Sequence, residues 1–477
     1  MYNSIQQFGE FGVRKIEAKI KNFVDEGKDL ADLVFGLQED LFEFGRNILQ
    51  EVIEDMDEHL RSSGLRKKQW EIVRKDPASL LTSFGTIRYN RTYFKPKKGG
   101  ARKYLVDKIV GIDSHDRLSS DVVINAAEES IESSYKKGGN KAAYVGEISK
   151  QTVMNIIHTI EVEQPKIDVD EKKEIRVLYI EADEDHVALQ GKNIKKDNQE
   201  RTRRIAMPRL VYVHEGIDNE KSTRKRKVLK NIRYFGGEYR NSEQIWLEVS
   251  EYIDKIYKLD SVEIIYLSGD GAAWIKQGLD WIPKSRFVLD NYHLNKYVKE
   301  ATAHLGDEAI TQGLRDGLDE ADKDLVKRVL DKILEKTEIE TKRNAVKNVK
   351  RYILNNWSGI AIKVDNYDIV GCSAEGHVSH VFSDRLSSRP KGWSTKGADQ
   401  MSQLRVFKQN DGKVYDLVMA QKKKQKQVQK QALQDELIRE LRTAGKKYGN
   451  MWDSKLTVIQ KGHKTALYSG LRRIIGL

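Results

Sequence analysis

Three apolar runs between residues 175 and 289 each lead straight into an acid, and this layout restricts the possible folds more than any other feature. Ile175-Arg176-Val177-Leu178-Tyr179-Ile180 continues into Glu181-Ala182-Asp183-Glu184-Asp185. Val262-Glu263-Ile264-Ile265-Tyr266-Leu267 ends in Ser268-Gly269-Asp270-Gly271-Ala272, and Arg286-Phe287-Val288-Leu289 passes into Asp290-Asn291-Tyr292-His293. Short runs of β-branched and aromatic residues bounded by turn residues read as buried strands. His186–Gln190 and Leu210–His214 read as two more. A helix rich in Trp246, Val249, Tyr252, Ile253 and Ile256 precedes the run that begins at Val262.

Strand, strand, strand, helix, strand, strand is the order of an RNase H-like α/β core. Residues 294–358 are helical and charge-rich without strand signals, so they read as an all-helical insertion. The core then falls in two parts, 172–293 and 359–410. Ahead of it the sequence predicts a helical region over 1–75, a basic β-hairpin over 76–115 and a helix-turn-helix region over 116–165. A basic helical tail follows over 411–477. A chain of 477 residues is long enough for several such domains.

The segments before the core point to a polyanionic partner. Leu30, Val34, Leu37, Leu41, Phe44 and Ile48 form one helical apolar stripe, suited to packing or to a helix–helix dimer seam. Residues 82–94 alternate with strand period, residues 95–100 supply turn chemistry, and Tyr104-Leu105-Val106 begins the expected partner strand. Arg88, Arg91, Lys95, Lys97 and Lys98 stud this hairpin among aromatics, a composition suited to nucleic acid and equally to an exposed hairpin face. In residues 144–157 a glycine turn precedes Ser149, a natural helix N-cap. Lys150, Gln151 and Asn155 are then turned outward on the reading helix of a helix-turn-helix. Two basic clusters stand out: Lys221, Arg224, Lys225, Arg226, Lys227 and Lys230, and Lys422, Lys423, Lys424, Lys426 and Lys430. Each is also compatible with a solvated face. The formal charge of +12 and a pI near 9.2 favour phosphate contacts, which release condensed counterions. Cys372 is the only cysteine, so no intrachain disulfide forms and a reducing cytoplasm is the expected setting. No apolar run is long enough for a membrane span, and the first ten residues lack a secretory layout.

Phosphodiester chemistry on two Mg²⁺ ions, with Mn²⁺ as a substitute, needs carboxylates from distant parts of a chain to meet. An RNase H-like sheet offers positions for them on its first strand, at the end of its fourth and on its closing helix. Asp183, Asp270 and Glu375 stand at these positions, the last within Gly371-Cys372-Ser373-Ala374-Glu375-Gly376-His377. Within the first group Glu181, Asp183 and Asp185 share one strand face. Asp183 is the choice because it is nearest the expected turn. Asp290 and His293 either help position a phosphate or merely cap a helix. Cys372, His377 and His380 lack the four-ligand spacing of a zinc site.

These segments, together with Phe84–Tyr93 and Ile148–Val153, resemble the ISLre-type insertion-sequence transposases of bacteria. That family is distantly similar to the Mutator-like transposases, and the resemblance runs in order from about residue 40 to 400. It implies a DDE triad on Asp183, Asp270 and Glu375, an acid-x-x-His element at Asp290 and His293, and a helical insertion before the final Glu. Relatives often carry Gly directly after the first Asp, where Glu184 stands here. The expected activity is Mg²⁺-dependent cleavage and strand transfer at the terminal inverted repeats of a mobile element. The expected partners are double-stranded DNA, both element ends and target, and further copies in a homodimer or larger assembly. The expected place is the cytoplasm, associated with the nucleoid. The alternatives are an RNase H-like metal-dependent nuclease without strand transfer and a catalytically inactive DNA-binding protein.

Overall fold

The structure, a computed structural model, describes residues 2–113, 116–190, 205–224, 226–389 and 391–443. The chain folds as two units, residues 1–161 together with 413–477, and residues 162–412.

In the first unit α1 (Val13–Glu26) ends on Gly27 at φ +60°, a left-handed stop that glycine takes without a Cβ clash. α2 (Leu30–Ser62) starts on Asp29, whose carboxylate accepts the Ala31 N–H at 2.8 Å. β1 (Trp70–Thr82) and β2 (Gly85–Pro96) form a long antiparallel hairpin, and β3 (Lys103–Tyr104) adds to the far side of β2. This corrects the pairing expected from the sequence. The main partner of residues 85–96 lies upstream, turned at Ser83-Phe84, and residues 103–104 pair only with Tyr93 and Phe94. The helical region correspondingly stops at Gln69 rather than 75. Residues 70–77 (Trp-Glu-Ile-Val-Arg-Lys-Asp-Pro) hid this strand, being charge-broken and ending in proline. Proline is tolerated here because β1 is an edge strand.

Ile87 and Tyr89 of β2 pack on Ile53 and Leu60 of α2, with Val106 and Ile112 completing this core. The apolar stripe at the start of α2 stays outside it: Leu30, Val34 and Leu41 are 63%, 51% and 51% exposed. α3 (Ser120–Glu132), α4 (Tyr135–Lys141) and α5 (Lys150–Thr159) follow. Their contacts are small or branched residues, Val122, Ala126, Ala127, Ile131, Val153 and Ile157, all fully buried. Ser149 caps α5, its hydroxyl accepting the Thr152 N–H at 3.1 Å.

The second unit is built on a mixed sheet. β4 (Val177–Glu184) leads it; β5 (Val187–Ala188) and β6 (Ile205–Ala206) form a separate two-stranded ribbon. β7 (Arg209–His214) and β8 (Arg233–Gly237) continue from β4 antiparallel, and α6 (Ser242–Ile256) crosses to β9 (Ile264–Gly269) and then β10 (Ser285–Leu289), both parallel to β4. The strand order is β10-β9-β4-β7-β8. Two expectations are thereby corrected. His186–Gln190 is not a sheet strand but a ribbon edge, and the strand after Leu210–His214 is Arg233–Gly237. That strand was hidden because only Tyr234 and Phe235 carry strand character before a Gly-Gly pair. Gly236 is needed there, since a Cβ would meet Arg209 O at 2.7 Å.

Leu178, Ile180 and Ala182 of β4 lie in one continuous core with Trp246, Val249 and Ile253 of α6. The helices after β10 are α7 (Asn291–Thr302), α8 (Glu308–Asp319), α9 (Lys323–Lys336), α10 (Glu340–Asn355) and α11 (Trp357–Asp365). Val298, Leu314, Leu330, Val346 and Ile353 from the first four join the same core, so the helical segment extends the domain rather than hanging from it. Each such fully buried side chain contributes about 1.5–3 kcal/mol. α12 (Ala374–Val378) runs into a π-helical turn at Ser379–Ser383, and α13 (Thr395–Gln409) packs on β8. The buried Arg405 of α13 donates from Nε to Val381 O at 2.8 Å, tying that turn down. α14 (Val414–Thr443) belongs to the first unit. Among the described residues no helix is long and apolar enough to cross a membrane.

Candidate functional site

β4, β9 and β10 run side by side in one direction, so their carboxyl ends present acids at the same edge of the sheet. Glu181 pairs across from Ser268 and Leu289 from Gly269, and the Asp290 N–H donates to Gly269 O at 2.9 Å. Asp183 lies within β4 rather than after it, at 8% exposure, with the Glu184 N–H on its Oδ1 at 2.8 Å. Asp270 sits on the turn leaving β9. Its Oδ1 accepts the Ala272 N–H at 2.8 Å, and the Tyr352 hydroxyl of α10 donates to its carbonyl at 2.5 Å. The glycines flanking it are sterically required. A Cβ on Gly269 would meet Ala182 O at 2.8 Å, and Gly271 has φ +87° with Asn356 Oδ1 2.4 Å from where its Cβ would lie.

Asp290 is the N-cap of α7, accepting the Tyr292 N–H at 3.0 Å, and it also holds the His293 ring at Nδ1, 2.9 Å away. Of the two sequence readings of this pair the structure shows the helix cap, and the same carboxylate also fixes the His293 ring. With Nδ1–H given to a carboxylate, Nε2 is the end left for other chemistry. Glu375 is exposed in the first turn of α12.

Electrostatics join these groups. The Asp183 carboxyl is pushed up to about 7, first by burial and further by the charges of Asp270 and Glu375, while the Glu184 N–H and His293 pull it down. His293 is held above the ordinary histidine range by its hydrogen bond to Asp290, burial opposing, with Asp183 and Asp270 adding to the rise. Glu184 is raised by burial and by Asp270. Asp183 thus feels the charges of Asp270, Glu375 and His293, and His293 those of Asp290, Asp183 and Asp270.

Hard carboxylate oxygens carrying uncompensated negative charge are the donor chemistry a divalent cation takes. The fit lies in chemistry and position. Among the described residues no three His, Cys, Asp or Glu groups are already gathered closely enough to hold one ion. Asp183 feels the charges of Asp270 and Glu375, but the three acids are not gathered around one point.

Some participants were not singled out from sequence. Tyr352 and Asn356 reach the Asp270 turn from α10 and its end, more than 80 residues away in the chain, and no local pattern marks them. Tyr212 and His214 both donate to Glu181. Strand alternation across the β4–β7 pair was the available signal, since Glu181 registers with Tyr212 and Tyr179 with His214.

Of the residues proposed for DNA contact, Arg88, Lys95, Lys97 and Lys98 are exposed, as are Lys150, Gln151 and Asn155 at the start of α5. Arg224, Arg226 and Lys227 are exposed; Lys225 lies outside the described residues. Arg91 differs from expectation. Its guanidinium pairs with the buried Asp107 and stacks 3.9 Å over the Tyr104 ring, leaving the side chain 19% exposed. The burial of Asp107 makes this cation a structural partner.

A mixed sheet with acids at its parallel strand ends, covered by helices on both faces, defines an α/β protein with a carboxylate-centred site. Residues 23–424 match the Uncharacterised protein family (UPF0236), and the chain belongs to that family. A UPF0236 protein of Caldanaerobacter subterraneus subsp. tengcongensis is 41% identical over 458 residues, 95% of this chain and 93% of the relative. A second from the same organism is 40% identical over 461 residues, covering 97% and 95%. A more distant relative, the UPF0236 protein in the vanSb 3′ region of Streptococcus gallolyticus, is 24% identical over 410 residues, covering 83% and 86%.

Proposed function

We propose that this protein is a DDE-type insertion-sequence transposase with an RNase H-like core, acting through Asp183, Asp270 and Glu375. The observation that carries the reading is that Asp183, Asp270 and Asp290 stand at one edge of the sheet, where β4, β9 and β10 run parallel, with His293 held by Asp290. The sheet supports it: three antiparallel strands, a helix, then two strands added parallel to the first is the RNase H-like arrangement. So does the helical segment that enters between the second acid and the third. The name of one Caldanaerobacter relative strings together eleven designations. One protein carried under many designations in one organism is what a copied, mobile gene leaves behind.

Two Mg²⁺ or Mn²⁺ ions on these carboxylates would supply Lewis-acid stabilisation of the charge that develops in phosphodiester displacement. The chain's own groups orient and move protons. Asp183 and Asp270 each anchor one oxygen on a backbone N–H, which fixes where the other points. His293, steadied by Asp290, presents Nε2 for a proton on the scissile-strand oxygens. In the reaction proposed, water cleaves a phosphodiester at the element end and leaves a 3′-hydroxyl there. That hydroxyl then displaces a 3′-oxygen of target DNA in line. The exposed cations of β2 and α5 would contact terminal inverted repeats, and a dimer or larger assembly would hold two ends together. The setting is the cytoplasm, on the nucleoid.

The test is incubation with Mg²⁺ and DNA bearing the repeats that flank the gene, alongside a pre-cut end. Cleavage plus joining of the pre-cut end to target supports a transposase; cleavage without joining supports a nuclease on the same fold. Cutting unchanged by Asp270→Asn would refute the carboxylate centre.

A further inference from the structure

Glu181 and Asp183 of β4 and Asp185 just beyond its end alternate along one side, and the chain from Ser373 to Ser387 bonds to the first and the last. Glu181, 2% exposed, meets the start of that segment. Its carboxylate accepts the Ser373 N–H at 2.6 Å and the Ser373 hydroxyl at 3.2 Å. It also accepts the Tyr212 hydroxyl and His214 Nε2, the latter at 3.1 Å. His214 Nδ1 accepts the Gly216 N–H at 3.1 Å, which places the ring proton on Nε2 and makes it a donor to Glu181. With four donors the carboxylate has little capacity left for another ligand. Asp185, 8% exposed, meets the end of the segment: the Ser387 hydroxyl lies 3.0 and 2.8 Å from its two oxygens. Asp183, between them, makes no hydrogen bond to the segment among the described residues, and Glu375 is its electrostatic neighbour there.

We propose that Glu181 and Asp185 are positioning residues, two anchors that hold the segment 373–387 in register along β4 so that Glu375 stands beside Asp183. The proposal rests on the carboxylate-centre reading above. The physical reason is leverage. Glu375 sits in the first turn of a continuous helical stretch, Ala374–Val378, the π-helical turn Ser379–Ser383 and Asp384–Leu386, whose two ends are the places where it can be pinned. Hydrogen bonds at both ends remove the slide along the strand that would carry Glu375 past Asp183. Bonds to a buried carboxylate are stronger than neutral ones, which suits an acid to this task. Tyr212 adds a lateral constraint, its ring stacked 4.4 Å from His377 while its hydroxyl serves Glu181. The same strand face thus carries a ligand candidate flanked by two acids that are already spoken for.

The experiment uses the full chain and two readouts: Mn²⁺ binding, followed by loss of the free-ion EPR signal, and amide hydrogen exchange over residues 373–387. Glu181→Gln and Ser387→Ala are compared with wild type, with Asp270→Asn as the reference for a lost ligand. Supporting groups of this kind typically change metal affinity by about 10–100-fold. The expected result is faster exchange in the segment and Mn²⁺ affinity weakened at least about tenfold by Glu181→Gln, and less by Ser387→Ala. Faster exchange with unchanged Mn²⁺ affinity would make the anchors merely structural and overturn the proposal, while loss of binding in Asp270→Asn alone would leave the carboxylate centre standing. If wild type binds no Mn²⁺, both readings fall. Should Glu181→Gln not fold, Ser387→Ala decides, because it deletes one hydroxyl from a half-buried site.

Discussion

Asp270 occupies a turn in which nearly every backbone freedom is already used. Its side chain caps Ala272, its carbonyl receives the Tyr352 hydroxyl, and its neighbours are glycines because nothing larger fits. Asp270→Asn keeps the shape and an acceptor oxygen for Ala272 but removes the charge. If several kcal/mol of transition-state stabilisation pass through these acids, end cleavage falls at least about 100-fold with the melting temperature little changed. Paired single-turnover and calorimetric measurements check this. Gly271→Ala tests the turn itself. A residue with a Cβ at φ +87° meets both backbone strain and Asn356, so a loss of about 1–3 kcal/mol is expected, read as a lower denaturant midpoint at constant slope. The glycines around Asp270 were legible as a close approach; what approaches, Asn356 and Ala182, was not, because both lie far away along the chain.

At the scale of elements, the end of β7 is fastened by Glu215. It accepts Lys173 Nζ at 2.9 Å, Asn231 Nδ2 at 2.6 Å and the Tyr257 hydroxyl at 3.2 Å, joining the entry strand segment, the approach to β8 and the end of α6. Burial pushes this carboxyl up, but the bonds from Lys173 and Asn231 outweigh it and hold the group below the usual glutamate range. A depressed folded-state value stabilises the fold above the unfolded pKa of about 4.3, and that contribution is lost as pH falls through the folded value. Glu215→Gln should therefore cost about 1–3 kcal/mol at pH 7, with the gap to wild type closing below about pH 4. Urea titrations at the two pH values measure it. Strands with dense apolar runs, such as Leu178–Ile180 and Ile264–Leu267, could be read from sequence. β1 and β8 could not, since edge position and a neighbour's demand for glycine make them strands against their own composition.

The whole molecule carries a formal charge of +12, and several of its cations stand free on the first unit. Lys95, Lys97 and Lys98 are exposed at the open end of the β1–β2 hairpin. If they contact phosphates, replacing all three by Ala lowers the slope of log affinity against log salt by up to about 2.7, at about 0.9 per contact. Fluorescence anisotropy with duplex DNA across a salt series reads this directly, and an unchanged slope would remove the hairpin from the DNA interface. Arg91 is excluded from that set because the fold spends it on Asp107 and Tyr104.

The sequence by itself determined the strands with dense apolar runs, β4, β7, β9 and β10, and the helix before β9, because apolar period and turn chemistry act over a few residues. It also marked the acids at strand ends, since local polarity shows where a strand stops. Only the tertiary structure decided which strands are neighbours, that the helical segment shares the main core, and that Glu181 and Asp185 are bound to Ser373 and Ser387. Those outcomes depend on pairing between residues up to 202 positions apart, and such contacts are chosen by the packing of the whole domain rather than by any window of its sequence.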